Sequence, residues 1–479
     1  MKDNMLDFNF DNPILNTDSY KLSHFPQYEP GTERVFSYGE SRGGVFDEVL
    51  WAGIQPYLKK FLTVPITMHD VNQAEWFSRF HGFEDFNRKM WTRIVKKHNG
   101  FMPVVIKAAP EGLIIPTHNV LVTIENTDDQ CAPVTSYLEQ GLLRAVWYMT
   151  TVATTSYHAK KLIRAALEKT GSDDPEAELP HKLVDFGGRG VSSKESSGLG
   201  GLAHLLCFQA TDNIEGILYA AKFYNVDLTD PAQMPGFSIP AAEHSTITSW
   251  GKDRELAAFT NMVDKFGKPG ALFAVVSDSY DIYYAVRNLW GNLLKEKVIN
   301  SKATLVVRPD SGDPVEVTLK VMQILDETYG TTVNNKGYKV LPDCVRIIQG
   351  DGIDVDMIGQ ILDNFEANGY SASNITFGMG GGLLQHSDRD TLKFAVKCSS
   401  MRIGGKDRDV FKDPITDKVK KSKKGRLMLF KDTKTGEYLT LRDTKQADWM
   451  VPVLRKVYEN GKILVDENLE TIRGRQLAT

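Results

Sequence analysis

In TLVVRPDSGDP (304–314) an apolar, β-branched run stops abruptly in Arg308, Asp310 and a glycine turn, and the chain then becomes helical in pattern. Four other stretches read the same way: KLVDFGGRG (182–190), LFAVVSDSYD (272–281), VRIIQGDGID (345–354) and ITFGMGGGLLQ (375–385). A short β-branched run bounded by such residues reads as a buried parallel strand. Its polar end is then the handover from strand to helix. Five strands that deliver Asp, Arg and Gly to one rim describe the C-terminal mouth of a (β/α) barrel, the face on which that architecture keeps its chemistry. A single ending of this kind reads as an N-cap and a turn; five read as an active site.

The rest of the composition is that of an ordinary soluble globular protein. The 479 residues suffice for two or three domains, and 42% hydrophobic with 25% charged residues excludes a disordered chain. A net charge of −4 exerts no global pull toward nucleic acid or a membrane surface. No apolar stretch reaches the roughly 18 residues that a membrane helix needs. MKDNMLDFNFDNPIL at the N-terminus mixes acids into its apolar residues, unlike a signal peptide. Cys131, Cys207, Cys344 and Cys398 are far apart and form no CxxC, which argues against a zinc site or a disulfide framework. The expected location is the reduced cytoplasm.

Three segments emerge. Residues 1–180 form a mixed α+β part, with Leu113–Ile115 and Val120–Ile124 expected to pair as a hairpin and helices expected over Thr135–Tyr148 and Ala153–Glu168. The acidic loop TGSDDPEAELP (170–180) marks a boundary, and 181–385 forms the barrel. Residues 386–479 return to short strands at Leu427–Phe430, Tyr438–Leu441 and Val453–Tyr458, and are expected to complete the N-terminal domain around an inserted barrel.

Within this frame, GMGGGLL (378–384) is a candidate phosphate cradle: successive glycines let backbone N–H groups approach an anion, a helix start adds a favourable dipole, and Arg389 follows. A tight turn is the bland alternative. GLGGLA (198–203) fits a loose dinucleotide fingerprint but follows no strand, and is discounted. Between Lys406 and Arg426 lie nine Lys/Arg against four Asp. Such a run is commonly a solvated loop. As a binding arm it suits a small polyphosphate better than nucleic acid, because Phe411 is its one aromatic. Asp278, Asp281, Asp310 and Asp351 stand at strand ends, where each can cap a helix. Together with Arg189 and Arg308 they also suit ribose hydroxyls and a hydrated Mg²⁺. In FSIPAAEHSTITSWG (237–251), His244 lies among Glu243, Ser245 and Thr246, which can orient an imidazole; a capping role is the alternative.

Taken in order, TDSYKLSHFPQY (17–28), DFGGRGVSS, ATD (210–212), PAAEHSTITSWGKD, VVSDSYDIY, VRPDSGDP, IQGDGID, GGGLLQ, VFKDP and KSKKGRL resemble the nicotinamide phosphoribosyltransferases over nearly the whole chain. The resemblance implies an α/β fold: the irregular barrel of the type II phosphoribosyltransferases plus a mixed α+β domain. It implies transfer of phosphoribose from 5-phosphoribosyl-1-pyrophosphate to nicotinamide, with Mg²⁺ and with ATP as co-substrate, by a homodimer with composite sites. Phe186 and Tyr20 would sandwich the pyridine ring, Tyr20 from a second subunit, with Asp212 accepting from the carboxamide and Arg189 facing the same pocket. Asp18, Arg308, Asp310, Gly350 and Asp351 would hold ribose and phosphates, with Gly381, Gly382 and Arg389 at the 5-phosphate. Arg42, Lys397, Lys412 and Lys420 would take the pyrophosphate. Mg²⁺ would be held through phosphates and water, meeting Asp278 or Asp310, and His244 would be the residue phosphorylated by ATP.

The chain departs from the family's animal members at His181, Val184 and Gly188, around the nicotinamide end, and by a shorter loop after Ser41. The nearest rival activity is nicotinate phosphoribosyl transfer, disfavoured because Asp212 would repel the substrate's carboxylate. A barrel lyase with a Schiff-base lysine would need a lysine at a strand end. A non-catalytic nucleotide-binding module would leave the aromatic pair and the carboxylates without a task.

Overall fold

The computed structural model describes residues 8–416, 421–444 and 446–477. The chain forms two compact units. One takes the chain up to Thr154, with Lys222–Asn225 and the chain from Asp388 onward; the other comprises Thr155–Ala221 and Val226–Ser387. The division between Thr154 and Thr155 falls inside one helix, Glu139–Thr170, which runs through the helix expected over Ala153–Glu168 and ends where the loop 170–180 begins.

In the second unit the five runs are strands Leu183–Asp185, Leu272–Val276, Thr304–Arg308, Val345–Gln349 and Ile375–Met379. With the two-residue strand Ala210–Thr211 they form one six-stranded, all-parallel sheet. In spatial order it runs 210–211, 183–185, 375–379, 345–349, 304–308, 272–276. The sheet is drawn round on itself by residues 237–242: Phe237 bridges to Ala210 at one edge and Ala241 to Ala274 at the other. Phe237 and Thr211 share a backbone bond of 2.9 Å, as do Ala242 and Ala274. That stave was not legible as a strand, since Pro235, Gly236 and Pro240 break its pattern.

Alternation then sorts each strand's residues. Val184, Ala274, Val306 and Ile348 gather with Phe186 and Ile239 in one apolar cluster inside the curved sheet. Their neighbours Phe273, Val275, Leu305, Val307 and Ile347 face outward and are buried. Apolar residues on both faces are what makes such strands read as continuous hydrophobic runs. The glycines of 198–203 lie inside helix Lys194–His204, where Gly201 meets Gly216 of helix Ile214–Phe223 so closely that a Cβ on either would approach the other's backbone within 3 Å. They serve close helix packing rather than a dinucleotide.

In the first unit a seven-stranded sheet interleaves the chain's two ends: Ala395–Ile403 pairs with Thr32–Glu40, and Arg455–Glu459 with Val104–Ala108. The hairpin expected around Pro116–Asn119 does not form. Ile114–Pro116 pairs instead with Glu48–Leu50, while Val120–Asn126 joins the large sheet between Thr32–Glu40 and Val104–Ala108. Proximity in sequence suggested the pairing; two different sheets compete for those strands and win.

Candidate active site

The strand register that fills the interior also builds the mouth. Two residues beyond Val184 comes Phe186; two and four beyond Val306 come Arg308 and Asp310; two beyond Ile348 comes Gly350; four beyond Ala274 comes Asp278. All continue the inward face at the C-terminal ends of parallel strands.

At one side of the mouth the Phe186 ring lies over a floor from which side chains are missing. A Cβ on Gly350 would come within 2.9 Å of the ring, and one on Gly378 would overlap it outright. Glycine is required at these positions by the ring, not by backbone conformation. Asp212 follows strand Ala210–Thr211, and its N–H donates to the Asp185 carbonyl at 3.1 Å. The Ser238 hydroxyl, on the closing stave, donates to Asp212 Oδ1. One carboxylate oxygen is thus fixed by the barrel, which orients the other for a donor. Sequence reading missed Ser238; its signal was membership of the quoted 237–251 stretch, unread because the stave itself was unread. Arg189 is exposed at the end of the turn Gly187–Arg189. His181 stands edge-on to Phe237 at 6.3 Å, and Gly188 faces Ser197 and Asn213.

Opposite lies a polar chain. His244 Nε2 meets Asp278 Oδ1 at 2.9 Å, and Ser311 Oγ donates to Asp278 Oδ2 at 2.6 Å. His244 Nδ1 lies 3.9 Å from Asp310 Oδ2, which accepts from Arg308 Nη2 at 3.3 Å. The orienting groups are therefore carboxylates brought from two other strands. Glu243, Ser245 and Thr246 are occupied among themselves: Ser245 donates to the Glu243 carboxylate and Thr246 Oγ1 to the Glu243 carbonyl. Burial raises the Asp310 carboxyl above the usual range; Asp278 and Asp351 push the same way, against Arg308 and His244. Arg308 Nε is buried without a partner among the described residues.

The carboxylates divide by role. Asp281, Asp313 and Asp354 cap helices by accepting from Tyr284, from Val315 and Glu316, and from Met357 N–H groups. Asp278, Asp310 and Asp351 make no such cap among the described residues: Asp278 and Asp310 flank His244, and the Asp351 charge acts on Asp310. Strand Ile375–Met379 hands over through Gly380 to a single helical turn, Gly381–Leu384. A Cβ on Gly382 would come within 2.7 Å of the Ile353 carbonyl, so this glycine lets that turn and the Asp351–Asp354 turn close on each other.

The remaining candidates belong to the first unit. Asp18 accepts from Gln140 Nε2 at 2.8 Å, and Tyr20, 56% exposed, rests edge-on against His24. Arg42 pairs with Glu40 through Nε at 2.8 Å and leaves Nη2 buried without a partner among the described residues. Burial and the nearby cations Arg42, Lys412 and Lys21 lower Lys397, against Glu139 at 3.8 Å. Arg389 pairs with Asp390 and donates to the Phe394 carbonyl, and Lys412 is exposed. Lys420 lies outside the described residues.

Among the described residues, the one group whose metal-type side chains converge is His98, Asp128 and Cys131 in the first unit. There Asp128 already accepts from Arg93 and His98 at 2.7 Å, a complete structural network. The mouth carboxylates form no three-residue cage among the described residues. That donor set fits Mg²⁺, which takes one or two carboxylates and completes its shell with ligand phosphates and water. No described helix is long and apolar enough to cross a membrane.

Comparison with known proteins places this geometry. Residues 181–462 match the model described as "Nicotinate phosphoribosyltransferase (NAPRTase) family", and residues 12–106 match "Nicotinamide phosphoribosyltransferase, N-terminal domain". The chain is 52% identical to a nicotinamide phosphoribosyltransferase of Xanthomonas campestris, covering 97% of both chains, and 30% identical to one of Acinetobacter baylyi over the same shares. Among solved structures it resembles the nicotinate-nucleotide pyrophosphorylase of Pyrococcus furiosus, with a TM-score of 0.62 and 16% identity over 98% of this chain and 96% of that one. At that identity the likeness establishes the fold.

Proposed function

The chain belongs to the nicotinamide phosphoribosyltransferase family, and from that membership we propose that it converts nicotinamide and 5-phosphoribosyl-1-pyrophosphate to nicotinamide mononucleotide and pyrophosphate, a step of NAD salvage in the cytoplasm. The observation that carries this reading is 52% identity sustained along the whole chain. The pyridine nitrogen forms a bond to the anomeric carbon while the bond to the pyrophosphate oxygen breaks, that oxygen leaving with the electron pair. The transition state resembles an oxocarbenium ion, so the protein's work is positioning and charge stabilisation. Phe186 stacks the ring against its glycine floor, and Asp212, held by Ser238, accepts the carboxamide N–H. Arg189 closes that side. Asp18, Arg308, Asp310, Gly350 and Asp351 are assigned to ribose and phosphates, Gly381, Gly382 and Arg389 to the 5-phosphate, and Arg42, Lys397, Lys412 and Lys420 to pyrophosphate. Mg²⁺, bound through phosphates and water with Asp278 or Asp310, would supply charge neutralisation of the leaving group.

Nicotinate is the competing substrate. Asp212 favours nicotinamide, because a carboxylate accepts from an amide and repels another carboxylate. The deciding assay supplies protein, Mg²⁺ and ribosyl pyrophosphate with either pyridine and quantifies the mononucleotide. Turnover with nicotinate and none with nicotinamide would sink the proposal.

His244 is proposed as the acceptor of the ATP γ-phosphoryl group. With Nε2–H donated to Asp278, Nδ1 carries the lone pair that attacks phosphorus, and ADP leaves. The added charge, roughly −2, would organise the cations of the pyrophosphate site. ATP is therefore expected to lower the Michaelis constants or raise turnover, and His244→Ala to abolish that effect while slow basal synthesis persists. Equal stimulation of the variant would make His244 structural.

A homodimer is proposed because the Tyr20 side chain is exposed and lies outside the barrel that carries Phe186. If Tyr20 completes a neighbour's site, inactive Tyr20→Ala and Asp310→Ala chains regain part of the activity when mixed and reassembled. A fully active monomer in sedimentation excludes it.

A further inference from the structure

Behind the pyridine pocket lies a carboxylate without a role in the scheme above. Asp185, fully buried, ends strand Leu183–Asp185 and points away from the mouth, since its neighbours Val184 and Phe186 take the inward positions. Its Oδ1 accepts the Gly187 N–H at 2.7 Å and its Oδ2 accepts from Asn213 Nδ2 at 3.0 Å. Its carbonyl accepts the Asp212 N–H. Gly187 belongs to the turn that presents Phe186 and Arg189, and Asn213 follows Asp212 directly. One side chain therefore joins the two turns that form the two walls of the pocket.

The second link in the chain is equally constrained. Asn213 Oδ1 accepts from Ser197 Oγ at 2.9 Å, and its Nδ2 also donates to the Ser197 carbonyl at 3.0 Å. Glycines flank the amide: a Cβ on Gly201 would come within 2.7 Å of Asn213 Nδ2, and one on Gly188 within 3.3 Å of its Oδ1. The space is shaped around this one amide. Burial pushes the Asp185 carboxyl up, and the neighbouring Asp212 charge adds to that; buried His204, the Gly187 N–H and Asn213 hold it down.

We infer that Asp185 is the positioning residue of the pyridine pocket, setting the Phe186 ring and the Asp212 carboxylate in register through Gly187 and Asn213. It rests on the functional reading above. A carboxylate offers an acceptor to each partner, whereas an amide in its place offers one acceptor and turns a donor toward either the Gly187 N–H or Asn213 Nδ2. Aspartate is therefore specified chemically, beyond size and burial.

The test is a reciprocal exchange. Asp185→Asn sets donor against donor, and Asn213→Asp alone sets carboxylate against carboxylate. The double variant restores the contact between the two positions: the amide then at position 185 accepts from the Gly187 N–H through its oxygen and donates through its NH₂ to the carboxylate then at position 213, while the Ser197 carbonyl loses the donor that Asn213 Nδ2 gives it. Asp185→Asn is expected to raise the nicotinamide KM about tenfold while the ribosyl pyrophosphate KM changes less than about twofold, and the double variant to work better than Asn213→Asp alone, since both lose the same contact to the Ser197 carbonyl. A general packing defect would move both constants together and would leave the double variant no better than Asn213→Asp; either outcome overturns the inference. If the native chain binds no nicotinamide, the functional reading fails by itself. The positioning claim is then decided by amide exchange at Gly187, which Asp185→Asn accelerates if the contact governs that turn and leaves unchanged if it does not.

Discussion

Asp212→Ala is expected to lower kcat/KM for nicotinamide by about 100-fold or more, and Asp212→Asn by a similar factor. A hundredfold loss corresponds to about 2.7 kcal/mol, the size of a lost hydrogen bond to a charged group. The structure sharpens the asparagine case. Ser238 already donates to Oδ1, so the amide keeps its oxygen there and turns its NH₂ toward the substrate. That group opposes the carboxamide N–H and attracts a carboxylate. Asp212→Asn should therefore narrow the gap between nicotinamide and nicotinate even as it weakens the former, which parallel steady-state kinetics on both pyridines would measure. Unchanged kinetics would reduce Asp212 to a brace for the closing stave.

A second large effect is expected from a single methyl group. Gly378→Ala places a Cβ inside the present position of the Phe186 ring, in the middle of a strand whose backbone is held on both sides. The ring must leave its site, and with it the stacking surface for the pyridine. Overpacking of this kind costs about 1–3 kcal/mol of stability, while kcat/KM should fall at least about tenfold further than that of Gly350→Ala. At Gly350 the new methyl would meet only the ring edge, at 2.9 Å, where a small tilt relieves it. Melting temperatures and kinetics on the pair separate lost folding from a displaced ring. A fully active Gly378→Ala would mean that Phe186 is not the stacking platform.

The five strand endings were legible because parallel strands buried on both faces have no polar alternation to confuse them, and because Arg308, Asp310 and Asp278 interrupt them so sharply. What was illegible had physical reasons. Ala210–Thr211 is too short to carry a period, and the 237–242 stave has Pro240 in its middle, where strands avoid proline. Asp281 and Asp278 look alike in sequence, yet one caps a helix and the other holds an imidazole; only the third dimension distinguishes them. The sequence offers His244 only its chain neighbours as partners, whereas the groups that meet it arrive from residues 278 and 310. Asp185 carries no signal of its own in the sequence, because it ends the same run as Phe186 and faces the other way.

That alternation also limits how this protein can vary over time. Within 184–186, 274–278, 306–310 and 348–350, each step of two keeps a side chain on the inward face, so one inserted or deleted residue would exchange lining and mouth groups with outward core groups. Substitution can retune the pocket position by position. Changes of length cannot enter these runs without dismantling the site, and must be absorbed by the helices and by the loops at the opposite, N-terminal end of the barrel.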